Sequence, residues 1–172
     1  MTEQVYTNYR LLLPQEEIIG TVTVREGRIA DVQPGVTAHG QDGAEQYLLP
    51  GLVELHTDNF EQRLSPRPKV RWPIEMAAVY HDRDLAAAGI TTVCDAIAVG
   101  DITPTSIRMT QFDPMIQAIH QGRQAGRLMV DHYLHLRCEL GYDRVHEVTA
   151  TYAHHPLLKL ISLMDHTPGQ RQ

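Results

Sequence analysis

His56 and Asp58 stand one residue apart at the end of an apolar segment that contains Leu52, Val53 and Leu55. Side chains alternate across a strand, so Glu54, His56 and Asp58 share one face. An imidazole and a carboxylate delivered together by a buried strand are the donor types that seat a divalent cation. Glu54 lies deeper and suits a supporting contact or a core ion pair. The chemistry then depends on what the other strand ends supply.

The elements that position these residues follow from periodicity and breakers. Residues 4–13, 18–25 and 28–32 carry strand formers, with Glu26 and Gly27 as a turn, and 1–47 reads as a small antiparallel β-module. From 48 to 172 the pattern becomes strand, helix, strand, helix. Strands are expected at 48–57, 90–95, 127–138 and 157–164. Helices are expected at 74–88, ended by Gly89, at 113–126, opened by Asp113 and Pro114, and at 143–154. Alternating units imply a parallel sheet with right-handed crossovers, so the class is α/β. Four units make about half of a (β/α)8 barrel, which typically takes about 250 residues. The edges of the first and fourth strands would be unpaired, which favours homo-oligomers or self-association.

In such folds functional groups gather at the C-terminal ends of the strands. Strand one ends in His56 and Asp58, strand two in Asp95, strand three in His135, Arg137 and Glu139, and strand four in Asp165 and His166. On strand three, Leu134, Leu136 and Cys138 share the outward parity. Tyr133, His135, Arg137 and Glu139 point inward. An inward Glu139 needs either a metal or a cationic partner such as Arg137. His56, Asp58, Glu139 and His166 are therefore the expected metal ligands. His135 suits a ligand, a substrate contact or a core histidine. His132 has the outward, structural parity. His81, His120, His146, His154 and His155 read as helix-surface residues. Mixed imidazole and carboxylate donors suit zinc, manganese, iron or magnesium, with zinc and manganese foremost.

Arg63, Arg67, Lys69 and Arg71 form a cationic loop with no acid among them, directly after the metal strand. Two prolines stiffen it, and its charges suit phosphate oxygens. No glycine-rich phosphate loop of the Walker type is present.

The 172-residue chain carries a net charge of -6, which gives no support for nucleic-acid or membrane-surface binding. No apolar run approaches the length of a membrane span. The N-terminus lacks the pattern of a secretory signal, and the two cysteines have no metal-finger spacing. A reducing, cytoplasmic setting is the expectation.

The run Leu49 to His56, with Gly89-Ile90-Thr91-Thr92-Val93, resembles the first barrel strands of the amidohydrolase superfamily. Most members carry His-x-His where this chain has His56-Thr57-Asp58. That departure joins Asn59, the loop Pro66 to Pro73, His81-Asp82, His135 to Glu139 and Met164 to Gln170. Together they resemble the diphosphatases of the carbon–phosphorus lyase pathway. The resemblance implies a metal-dependent hydrolase acting on a phosphorylated sugar, releasing pyrophosphate from a ribose 5-triphosphate ester. It also implies that Arg137 joins the cationic loop in binding substrate. The superfamily's catalytic aspartate comes from a late strand that this chain lacks, so weak or absent activity is expected. A C–N amidohydrolase and a non-catalytic half-barrel are the alternatives.

Overall fold

A computed structural model describes residues 2–101, 108–167 and 169. The chain divides into two compact units, Met1–Pro50 and Gly51–Gln172.

The first unit is a five-stranded sheet. Strands β1 (Glu3–Leu12), β2 (Glu17–Arg25) and β3 (Arg28–Pro34) pair antiparallel, with Glu26 and Gly27 both at positive φ in the β2–β3 turn. Two short strands, β4 (Gln41–Asp42) and β5 (Tyr47–Leu48), pair parallel with β1, so the module is mixed at one edge. Tyr9, Leu11 and Val22 form its buried centre.

The second unit is a parallel sheet of four strands in chain order: β6 (Leu52–Thr57), β7 (Ile90–Val99), β8 (Asp131–Glu139) and β9 (Leu158–Met164). Helices α1 (Asn59–Leu64), α2 (Ile74–Ala87), α3 (Arg108–Gln124) and α4 (Val145–Tyr152) lie between the strands in sequence. The main core packs Ile97, Val99, Leu134, Leu136 and Cys138 against Phe60, Ala77, Phe112, Ile116 and Ile119. The outward parity read for β8 is thus the one that meets the helices. Gly89, at φ 80, ends α2 as expected, since that backbone conformation suits a residue without Cβ.

Several expectations are corrected. Helix α1 was not anticipated. Helix α3 begins at Arg108, so Pro114 lies inside it rather than at its start. Phe112, Met115, Ile116 and Ile119 are all buried, and this apolar face outweighs the one backbone bond that Pro114 removes. Strand β7 continues through Ala96 to Val99, so Asp95 sits in mid-strand rather than at a strand end. His81 is not a surface residue but is buried.

Asp95 and His81 belong to one buried polar network on the helix-facing side of the sheet. His81 Nε2 lies 2.7 Å from Asp95 Oδ1, and His132 Nδ1 lies 2.7 Å from Asp95 Oδ2. His132 Nε2 lies 3.2 Å from Asp82 Oδ1, which also accepts the backbone N–H groups of Met129 and Val130. Arg83 pairs with the other Asp82 oxygen. Both His132 nitrogens face carboxylates, so each donates and the ring is an imidazolium. Burial works to lower its pKa, but the hydrogen bonds and charges of Asp95 and Asp82 hold it above the ordinary 6.5. His81 Nδ1 is buried without a hydrogen-bond partner, so the ring is held through Nε2 alone.

The strand expected to be buried, β6, is an exposed edge. Val53 is 61% exposed, and Leu163 on the opposite edge strand β9 is 70% exposed. Edge strands with apolar side chains are templates for pairing. We expect Leu163→Lys to lower concentration-dependent light scattering of the purified chain. Unchanged scattering would show that association does not use the β9 edge.

Candidate active site

The C-terminal ends of β6, β8 and β9 meet at one cleft of about 340 Å3, lined by Asp58, Asp101, Arg108, Arg137, Glu139, Met164 and His166. The parallel register groups the ends of β8 and β9, where Glu139 lies beside Met164. Strand β6 stops earlier, with Thr57 beside Asp95 in the middle of β7, and the Arg137 side chain of β8 reaches Asp58 beyond its end. Gly100, at φ 99, turns the chain out of β7 and delivers Asp101; a Cβ there would come within 2.5 Å of Tyr142.

Of the four expected metal ligands, Asp58, Glu139 and His166 line this cleft, and His56 Nε2 lies 3.7 Å from Asp58 Oδ1. The donors are held as pairs. Arg137 donates to Asp58 Oδ1. The His166 ring and backbone N–H both bond Glu139, the latter at 3.0 Å. Burial pushes the Glu139 carboxyl up, but the bonds from His166 and the Gly141 N–H hold it below its usual range. It is therefore a carboxylate at neutral pH. Glu139 is thus paired with His166, and Arg137 with Asp58 rather than with Glu139.

His135 lies apart from the cleft lining. Its Nδ1 donates to Leu55 O at 3.0 Å, and its Nε2 accepts from Ser162 Oγ at 2.8 Å. It therefore ties β6 to β9 across the concave face of the sheet. Burial pushes its pKa down, in keeping with a neutral ring.

The cationic loop separates into individual fates. Arg63 belongs to α1 and pairs with Asp84 of α2 at 2.6 Å. Arg67 and Lys69 are exposed in a turn closed by Val70 N–H to Arg67 O at 3.1 Å. Arg71 lines a second cleft of about 210 Å3 with Glu61, Ser65, Asp101, Arg108 and Gln111. Asp101 and Arg108 line both clefts, so Arg71 borders the site through them. Asp101 and Arg108 were missed from sequence. Extending β7 to its true end would have identified Asp101, the polar residue just beyond it; nothing local marks Arg108. Pro168 and Gln170, part of the last motif, lie outside the described residues.

Among the described residues, one trio has metal-like spacing: His81, Asp95 and His132, with donors within 4.8 Å of one another. It is fully enclosed, and its 2.7 Å contacts are those of shared protons. The imidazole and carboxylate donors of the cleft fit a divalent cation chemically, each pair now being closed on its own partner.

No family model matches the chain. It is 40% identical over 171 residues to the alpha-D-ribose 1-methylphosphonate 5-triphosphate diphosphatase of Escherichia coli (strain K12), a match that covers 98% of this chain and 45% of that protein. The chain is a homologue of this diphosphatase. It spans about half the length of that relative. Among solved structures, a D-hydantoinase matches 93% of the chain and 32% of its own, with TM-score 0.56 and 16% identity. The atrazine chlorohydrolase of Arthrobacter aurescens TC1, solved with zinc, matches 94% of the chain and 46% of its own, with TM-score 0.55 and 14% identity. The chain therefore has the amidohydrolase-type fold, represented by a four-stranded part of the barrel. No helix among its described residues is long and apolar enough to cross a membrane.

Proposed function

We propose that these strand ends form one half of a site that hydrolyses alpha-D-ribose 1-methylphosphonate 5-triphosphate to the 5-phosphate and pyrophosphate. The observation that carries this reading is the convergence of Asp58, Arg137, Glu139 and His166 on one cleft in a chain 40% identical to a diphosphatase of that name. His56, Asp58, Glu139 and His166 would hold a divalent ion, zinc or manganese. When bound, such an ion screens phosphate charge and lowers the pKa of water.

The chain's own residues do the rest. Arg137 and Arg71 grip phosphate oxygens, and the planar guanidinium suits two oxygens at once. Arg67 and Lys69 add charge at the mouth and draw the anionic substrate in. Arg63, tied to Asp84, braces the start of the loop. His135 keeps β6 and β9 at a fixed separation, so that the Asp58 and Glu139 ends stay on one cleft. Self-association through the open β6 and β9 edges belongs to the same reading.

The test is pyrophosphate release in the presence of zinc or manganese. It is measured for the 172-residue chain and for a barrel-length polypeptide in which the relative's remaining sequence follows it. Release by the longer polypeptide, with little or none from the chain alone, is expected. No release from either would sink the assignment, and cleavage of a cyclic amide instead would move the site to C–N chemistry.

A further inference from the structure

Asp58 Oδ1 has two suitors. Arg137 donates to it, and His56 Nε2 lies 3.7 Å away. The Arg137 side chain is 19% exposed and that of Asp58 is 42% exposed, so the pair sits at the wall of the cleft with the carboxylate toward solvent. The carboxylate that a cation would need is thus engaged by the guanidinium that a phosphate would need. The cleft also carries three carboxylates, Asp58, Asp101 and Glu139, against two guanidiniums, Arg108 and Arg137. Three carboxylates against two guanidiniums leave these fixed charges negative in sum, which opposes a polyphosphate; a divalent cation reverses the sign.

We propose that cation and polyphosphate binding are coupled by an exchange at Asp58: a divalent cation takes the carboxylate, and Arg137, released, turns to phosphate oxygens. The inference rests on the metal-assisted reading above. It makes Arg137 a conditional phosphate ligand, closed on Asp58 until the cation arrives. By linkage, polyphosphate tightens cation binding by the same factor. The exchange also protects the cleft from unproductive capture of metal-free anions, because phosphate would first have to break a charged hydrogen bond.

Inorganic pyrophosphate, measured by calorimetry against the 172-residue chain without metal, is the probe. Asp58→Asn removes the charge that holds Arg137 and is expected to tighten pyrophosphate binding about tenfold. Arg137→Gln is expected to change little in the wild-type background and to cancel the gain in the Asp58→Asn background. Additive effects in this four-variant cycle, as charge removal alone would produce, overturn the proposal. Should Asp58→Asn fail to fold by circular dichroism, the wild type decides. Its Arg137 guanidinium resonances are expected to move on Zn2+ addition, and resonances that stay fixed overturn the exchange, as does failure of Zn2+ to bind. Neither readout uses turnover. A non-additive cycle without pyrophosphate release by the barrel-length polypeptide would sink the substrate assignment and keep the exchange. Release with an additive cycle would do the opposite.

Discussion

Replacing His132 with Ala is expected to destabilise the barrel unit by roughly 3–5 kcal/mol, the cost of stripping one partner from a buried ion pair. His132, Asp95 and Asp82 are all enclosed, and His132 bridges the two carboxylates. Removing it leaves two buried negative charges with Arg83 on only one of them. Urea denaturation would check this, and a loss below about 1 kcal/mol would mean that the network contributes little. The pH dependence gives a second readout. The folded pKa of His132 is raised above 6.5, so its contribution is fully present below 6.5 and is lost as pH rises through the raised value. Burial pushes the Asp95 carboxyl up, but His132 and His81 hold it below its ordinary 3.8. Its contribution is present above 3.8 and is lost as pH falls through the lowered value. Stability should therefore plateau from about 3.8 to 6.5 and decline on both sides. His132→Ala should remove the decline on the alkaline side that His132 causes.

The second large effect is expected at Glu139. Glu139→Gln keeps an acceptor for the His166 backbone N–H but removes the charge. It should weaken zinc or manganese binding by more than about 100-fold, since even supporting contacts to ligands are worth 10–100-fold. Dialysis followed by metal analysis reads this directly. Affinity within threefold of the wild type would take Glu139 out of the ligand set. One equivalent of zinc retained by Glu139→Gln would point instead to the enclosed trio His81, Asp95 and His132.

Much of the fold was legible because its signals are local. The alternation of Leu134, Leu136 and Cys138 with His135, Arg137 and Glu139 states which face of β8 meets the helices, and Gly89 states where α2 stops. The rule that parallel strands present polar groups at their C-terminal ends singles out Asp58, Glu139 and His166, and these three line one cleft. It failed for Asp95, because β7 continues through Ala96, Ile97, Ala98 and Val99, and the strand's end was read too early. The expectation of a surface His81 failed because a polar residue on a helix looks like surface unless its neighbours, Asp95 and His132, are known. Those neighbours lie 14 and 51 positions away in sequence, too far for any local pattern to join them.

By itself the sequence determined the parallel βα order, the parity of each strand and the residue types carried to the strand ends, since these follow from backbone period and turn chemistry. Only the tertiary structure decided the pairings. Asp58 went to Arg137, Glu139 to His166, Arg63 to Asp84 and His132 to two aspartates. Charge pairing depends on distances of a few ångströms between segments remote in sequence, and these are set by how sheet and helices pack.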